Sequence, residues 1–224
     1  MLKIGVRLPA RFVDSGEYLA DARAMDAAGV DSLWLDDPGY DPWLLLASVA
    51  AVTGRARLVA PFEMTEGQTS STLAVRVTTL AALARGRCVL SVPAARAAGA
   101  VDGLVALARR LEHPVLLAVD GAPHAQVAAR LADGVVGLDD SCEALRAAIP
   151  SLRHARAAAR GPEAFDVWAR VTMPDDRSRW RQMLHDWEDA GATGVILPLD
   201  PRLLDQIRNG DEDDDRSDLQ LAQG

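Results

Sequence analysis

The chain has 224 residues, of which 49% are hydrophobic and only 4% aromatic, and its formal net charge at pH 7 is −8. This length allows one large domain or two small ones, with enough apolar residues for a sizeable core. The sequence has no basic stripe and no interleaving of basic and aromatic residues, so nothing in it favours nucleic-acid binding.

Short apolar runs alternate with longer helical patterns along the chain. The predicted strands are 4–8, 33–35, 57–61, 87–92, 115–119, 134–138, 165–171 and 194–197. The predicted helices are 16–28, 42–52, 69–84, 101–111, 123–131, 141–160, 178–190 and 201–208. Strict alternation of apolar strands with helices predicts a parallel sheet, and eight units favour a closed α/β (β/α)8 TIM barrel over an open sheet.

Three local signals refine these boundaries. Gly29 is expected to end the first helix, and Asp41 with Pro42 to begin the second. Pro150 is a possible break in the sixth helix. The segment 26–35 resembles 189–197, a weak internal echo that any helix–glycine–strand connection would also produce.

The barrel is expected to span residues 1–209 as a single domain, with about 26 residues per unit where a typical barrel has about 31. The loops that follow the strands must therefore be short. Residues 210–224 are predicted to form an acidic disordered tail, which contributes −5 of the net charge and leaves −3 for the rest. Lys3 is the only lysine, so no other residue can serve as a phosphate-binding or Schiff-base lysine.

The number of cysteines and the hydropathy of the sequence indicate the cellular compartment. Cys88 and Cys142 are too few for a disulfide framework and do not form a CxxC motif. The N-terminus lacks the pattern of a signal peptide, and no apolar run of 18 residues occurs. We therefore expect a cytoplasmic protein without a membrane span.

The common catalytic signatures are absent: there is no GxGxxG, GxxxxGK[ST], GxSxG, HExxH or EF-hand loop. The four histidines do not cluster at ligand spacings, so no metal site is predicted. Of these, only His124 lies near a strand's carboxyl end, where TIM-barrel active sites occur.

Two strand ends carry candidate chemistry. Asp36 and Asp37 follow the second strand and form either an acid/base pair or part of a turn. Asp120 and Gly121 precede a helix whose free N–H groups and dipole could bind a phosphate, although an ordinary turn has the same residues.

The sequence resembles the luciferase-like monooxygenase superfamily, the flavin- or F420-dependent (β/α)8 oxidoreductases, and looks like a shortened member. Six collinear segments carry the likeness: "KIGVRLP" at 3–9, "AAGVDSLWL" at 27–35, the stretch 41–58 that begins "DPW", 79–92 that ends "GRCVLSV", 127–136 that ends "LADGVV", and "GATGVIL" at 191–197.

The resemblance implies FMN or F420 across the mouth of the barrel, and a small organic substrate. A strained, often cis, peptide after the third strand would support the ring. Asp37 would be the polar group nearest the reacting centre. The residues that would hold the cofactor are Arg7 as an anion contact, Ala60, Pro61, Phe62 and Ser91 against the ring, and Asp120 with Gly121 at the phosphate.

The sequence also departs from the family pattern. Pro38 follows Asp37 where many F420-dependent members have histidine, and the stretch from Ser91 to Arg96 lacks the acid common after the fourth strand. The long insertions after the fourth and seventh strands are missing. The alternative function is therefore a catalytically degenerate barrel that serves as a binding or assembly subunit of a larger complex.

The second predicted helix is apolar nearly all round. An outer helix of a barrel normally keeps a polar face. We expect this helix to be buried in a homodimer or against a partner subunit, unless the chain's own termini cover it.

Overall fold

The computed structural model describes residues 2–35, 39–63, 69–93, 98–119, 122–137, 141–160 and 164–209. Within these ranges eight parallel strands close into a barrel in chain order, and a helix follows each strand. This confirms the predicted TIM barrel. The predicted tail lies outside the described residues.

The strands are β1 (Lys3–Arg7), β2 (Ser32–Trp34), β3 (Arg57–Pro61), β4 (Cys88–Pro93), β5 (Val115–Ala118), β6 (Gly134–Val136), β7 (Asp166–Arg170) and β8 (Gly194–Pro198). The helices are α1 (Ser15–Ala28), α2 (Pro42–Val52), α3 (Ser70–Leu83), α4 (Ala98–Arg110), α5 (Ala122–Leu131), α6 (Cys142–Arg160), α7 (Arg177–Asp189) and α8 (Leu203–Asn209). No helix in the described ranges is long and apolar enough to cross a membrane.

The helix ends follow the predicted chemistry. The Asp41 carboxylate accepts hydrogen bonds from the backbone N–H groups of Trp43 and Leu44, at 2.9 and 3.2 Å, and so caps α2. Gly29 ends α1 with φ of 90°, a left-handed conformation that glycine adopts without steric cost.

The possible break at Pro150 is not observed, because α6 continues through it to Arg160. Pro150 lacks an N–H group and cannot bond to the carbonyl of Arg146. Both residues lie on the exposed face of α6, where water can solvate that carbonyl, so the helix tolerates the proline.

Two apolar layers form the core. The larger one lies between the strands and the helices, and the smaller one fills the inside of the barrel. Trp34 and Trp168 are the largest members of the inner layer, and each is 1% exposed. Glycines on neighbouring strands make room for them: a Cβ on Gly5 would lie 2.5 Å from Nε1 of Trp34, and a Cβ on Gly194 would lie 2.5 Å from the ring of Trp168.

Charged side chains close the amino-terminal end of the barrel, here called the base. Lys3 Nζ lies 2.6 Å from Oδ1 of Asp166, and Arg57 Nη1 lies 3.4 Å from Oδ2 of the same carboxylate. The Arg57 guanidinium also lies 5.6 Å from the centroid of the Trp168 ring. The inner layer is thus sealed below by an ion-paired group.

A repeated hydrogen bond joins neighbouring strands at the base. The residue before each of β2, β6 and β8 accepts a backbone N–H of the preceding strand through its side chain. The pairs are Asp31 with Ile4, Asp133 with Val115 and Thr193 with Val167, at 2.7, 2.9 and 2.8 Å. Asp31 and Thr193 occupy matching positions in the two segments that echo each other in the sequence. The echo therefore corresponds to a shared structural role.

Candidate active site

The carboxyl ends of the strands form the opposite end of the barrel, here called the mouth. Successive side chains of a strand point to opposite faces. Val59, Val89 and Trp168 belong to the inner layer, so the residues two positions later face the inside of the mouth. This places Pro61, Ser91 and Arg170 at the mouth, and Arg7 joins them because Val6 before it belongs to the outer layer.

Pro61 and Ser91 are paired neighbours on β3 and β4. Ser91 is buried, and its carbonyl oxygen accepts the Phe62 N–H at 2.7 Å. Together they offer a flat apolar ring and a hydroxyl on one wall of the mouth. The peptide bond between Ala60 and Pro61 is trans, as are the others in the described ranges, so the often-cis peptide implied by the family resemblance does not occur here.

Ala60 and Phe62 flank Pro61 but point the other way. Both side chains are fully buried in the outer layer, beneath the helices. A ligand at the mouth can therefore reach only their backbone groups, whereas Pro61 and Ser91 present side chains to it.

Two arginines lie on either side of β8. Arg7 on β1 pairs with Pro198, and Arg170 on β7 pairs with Ile196. Both side chains face the mouth by alternation, so two positive charges stand on the wall opposite Pro61 and Ser91. Nothing in the local sequence distinguished Arg170 from other arginines, and its place follows only from the register of β7.

An ionised carboxylate follows β8. Asp200 accepts two hydrogen bonds from the Arg202 guanidinium, both at 3.0 Å, and one from the Arg202 backbone N–H at 2.8 Å. The side-chain bonds from Arg202 hold the pKa of Asp200 below its usual value. Asp200 is therefore an acceptor at the mouth and not a proton donor at neutral pH.

The remaining predicted site residues lie outside the described residues: the acid pair Asp36 and Asp37, with Pro38, and the proposed phosphate-binding Asp120 and Gly121. The chain re-enters the described part at Gly39, where it is firmly held. Tyr40 N–H donates to the Ala10 carbonyl at 3.1 Å, and the Tyr40 and Phe12 rings lie 5.3 Å apart. Tyr40 is thus anchored to the loop after β1.

The floor of the mouth is closed. Trp34 and Trp168 fill the barrel below it, with ring centroids 5.4 Å apart. Trp34 donates its indole N–H to Ser32 at 2.8 Å, while the buried Trp168 Nε1 has no hydrogen-bond partner among the described residues. The barrel interior therefore has no room for a ligand, and a ligand bound in the mouth lies above the indoles.

The described part of the chain contains no group of three or more histidine, cysteine, aspartate or glutamate side chains that could hold a metal ion. His154 and His185 are exposed on α6 and α7, and His113 precedes β5 at the base. His124 is half-buried near the start of α5, at the mouth end of the barrel.

No protein-family model matches the sequence, and no match was found among curated proteins. Solved structures do match. An F420-dependent secondary alcohol dehydrogenase in complex with an F420–acetone adduct superposes with a TM-score of 0.76 at 13% identity, over 92% of this chain and 96% of the other. Coenzyme F420-dependent tetrahydromethanopterin reductase from Methanopyrus kandleri gives 0.73 at 12%, over 94% and 98%.

The likeness extends to monooxygenases. EDTA monooxygenase from Chelativorans sp. BNC1 superposes with a TM-score of 0.70 at 12% identity, over 92% of this chain and 91% of that one. Identities this low establish the fold alone. The chain has the luciferase-like barrel fold of F420- and flavin-dependent reductases and monooxygenases, which confirms the sequence resemblance at the level of the fold.

Proposed function

We propose that the chain is a flavin- or F420-dependent oxidoreductase or monooxygenase that acts on a small organic substrate at the barrel mouth. The observation that carries the proposal is the fold: enzymes named for F420 dependence or monooxygenation share it over more than 90% of this chain. TIM-barrel enzymes place their chemistry at the carboxyl ends of the strands.

The described mouth residues fit such a cofactor. Pro61 offers an apolar surface for a flat ring, and the Ser91 hydroxyl can hydrogen-bond to a ring edge. Arg7 carries a permanent positive charge suited to the anionic part of FMN or F420. A bound reduced flavin or deazaflavin would supply the reducing electrons, and these residues would bind and orient it.

The closed floor supports the same proposal. Because the two indoles fill the barrel above the ion pair of Lys3 and Asp166, a flat ring bound at the mouth would rest on a packed floor of aromatic side chains. Within this proposal Asp37 is the candidate for holding or moving a proton, and Asp120 with Gly121 for binding the phosphate.

Cofactor titration tests the proposal. We would titrate FMN, F420 and riboflavin into the purified chain and follow their fluorescence. Binding should quench it. We expect saturable binding of FMN or F420 at micromolar concentration. The absence of quenching by either one up to tens of micromolar would contradict the enzymatic proposal for this chain.

Single substitutions test which side chains contact the cofactor. Arg7→Gln should weaken FMN or F420 binding roughly 10-fold by removing a charge-assisted contact to the anionic part of the cofactor. Ser91→Ala should modestly weaken the binding of FMN, F420 and riboflavin. Arg55→Gln, on the exposed surface near the base, is the matched control and should bind like the unaltered chain.

A second candidate function is a binding or assembly subunit that lacks catalysis. Exposed apolar side chains on two adjacent helices favour it: Leu44 on α2 is 69% exposed, and Val75 and Leu83 on α3 are 66% and 49% exposed. Large apolar side chains grouped on a surface are typical of interaction sites. We propose a homodimer through α2 and α3, which is compatible with either function.

A further inference from the structure

A cleft of about 700 Å³ opens where β7 ends and α7 begins, and we call it the β7 cleft. Its volume lies within the usual range for small-molecule sites, about 300–1,000 Å³. Strands β7 and β3 lie opposite each other in the closed barrel. The cleft therefore lies on the side of the barrel opposite Pro61 and Ser91, and it shares only Arg170 with the mouth residues described above.

The inner surface of the cleft is apolar. Val171 and Met173, which follow β7, and Met183 on α7 are half-buried against the outer core, and Trp187 on the same helix is 6% exposed. Methionine side chains are unbranched and flexible, so two of them can adapt to the shape of an apolar guest.

The rim of the cleft carries a net positive charge. Arg170 at the end of β7, Arg179 in the first turns of α7 and the single carboxylate of Asp175 line it. Arg179 pairs with Asp175 at 2.9 Å and lies 3.7 Å from Asp176, but its side chain is 69% exposed, so these pairs are weak. A guanidinium has five N–H donors and can bind a further acceptor.

We propose that the β7 cleft binds an amphipathic organic anion, namely a medium-chain aliphatic carboxylate. Its carboxylate lies between Arg170 and Arg179, and its alkyl chain lies against Met173, Met183 and Trp187. A carboxylate complements the cationic rim, and the chain removes apolar surface from water. The site does not depend on the proposed cofactor.

Calorimetric titration with sodium decanoate tests the proposal, with 1-decanol and butyrate as probes that lack the charge or the long chain. We expect one decanoate per chain with a dissociation constant on the order of 0.1 mM, and much weaker binding of both comparison probes. Equal binding of decanol, or the absence of saturable binding of decanoate, would overturn the proposal.

Variants locate the charge. Arg170→Gln and Arg179→Gln should each weaken decanoate binding about 5- to 10-fold. Arg181→Gln, exposed on the same helix but outside the cleft lining, is the matched control and should have no effect. An equal loss in all three variants would show only general attraction to positive charge and would refute the assigned site.

Methyl NMR locates the alkyl chain without any substitution. In a chain labelled at its five methionine methyl groups, decanoate should shift the signals of Met173 and Met183. Met25, buried under α1 on another side of the barrel, is the internal control and should not shift. Shifts confined to other methionines would refute the site.

Cofactor titration separates this proposal from the function proposed above. Arg179→Gln should bind FMN or F420 like the unaltered chain, because Arg179 lies outside the mouth. Decanoate binding without cofactor binding would support the β7 cleft and contradict the enzymatic proposal. Cofactor binding without decanoate binding would support the enzymatic proposal and contradict the β7 cleft.

Discussion

Trp34 and Trp168 meet inside the barrel with ring centroids 5.4 Å apart and ring planes at 65°. An edge-to-face pair of this kind is worth about 0.5–1.5 kcal/mol beyond the apolar area that it buries. The two rings come from β2 and β7, so their contact joins strands that are not neighbours in the sheet. The pair fixes the packing of the interior, and it can do so only while the adjacent glycines stay small.

Gly194→Ala should destabilise the fold by about 1–3 kcal/mol, because its Cβ would lie 2.5 Å from Cε3 and Cζ3 of the enclosed Trp168 ring. Urea denaturation measures the change. In a Trp168→Leu background the same glycine change should cost less, since the smaller side chain removes the clash. Gly103→Ala is the control: it meets nothing within 4 Å on an exposed face of α4, and should be neutral or stabilising.

Asp26 should make part of the stability depend on pH. Burial acts to raise the pKa of its carboxyl, but backbone N–H groups from Ala56, Gly54 and Arg55, with the Arg87 charge, outweigh burial and lower it. A lowered folded-state pKa stabilises the fold above the unfolded pKa of about 3.9, and this contribution is lost as the pH falls through the folded value.

Asp26→Asn should therefore cost about 1–3 kcal/mol at pH 7, because one amide oxygen cannot replace a charged acceptor of three hydrogen bonds. The difference from the unaltered chain should shrink as the pH is lowered below about 4. Denaturation curves between pH 3 and pH 7 measure it. Asp102→Asn, exposed on α4, is the control, and an equal pH dependence in that variant would contradict the explanation.

The two cysteines should differ in reactivity. Burial raises the pKa of the Cys88 thiol to about 12, and Cys88 is 0% exposed, whereas Cys142 is half-buried near the start of α6. Because the thiolate is the reactive form, Ellman's reagent should label Cys142 in the folded chain and Cys88 only after unfolding. Cys142→Ser should abolish native labelling, while rapid labelling of Cys88 would show that β4 opens readily.

The proposed dimer should depend on α2 and α3. Replacing Leu44 and Val75 with glutamate together should shift sedimentation at micromolar concentration from dimer to monomer, because two charges would be buried in the interface. Thermal stability of the monomer should change little, since both side chains are exposed. Val13→Glu, at a fully exposed position after β1, is the matched control; a monomeric unaltered chain would contradict the proposal.

Much of the fold could be predicted from the sequence because it depends on local signals. The apolar strands, Gly29 and Asp41 each act on the backbone of the residues next to them. The observed element boundaries accordingly lie within a few residues of the predicted ones. Pro150 did not follow its local signal, because whether a proline breaks a helix depends on the solvent around the freed carbonyl. Solvent access to that carbonyl depends on the tertiary structure and not on the local sequence.

The candidate site was less predictable. The family resemblance grouped Ala60, Pro61 and Phe62, but alternation along β3 sends only Pro61 toward the mouth. Arg170 carries no local signal at all, and it joins Arg7 only through the register of β7 and β8 with β1. The β7 cleft brings Met173 next to Met183 from separate elements, a proximity that no spacing in the sequence encodes.

The single lysine at the base offers one side-chain amine for covalent coupling. Lys3 is the only lysine, its side chain is 37% exposed, and it lies at the end of the barrel opposite the mouth. Coupling through its amine would attach the chain to a surface with the mouth directed away from that surface. Coupling would also remove the positive charge that pairs with Asp166. The coupled chain would therefore show both how the mouth binds ligands and how the fold tolerates the loss of the ion pair at the base.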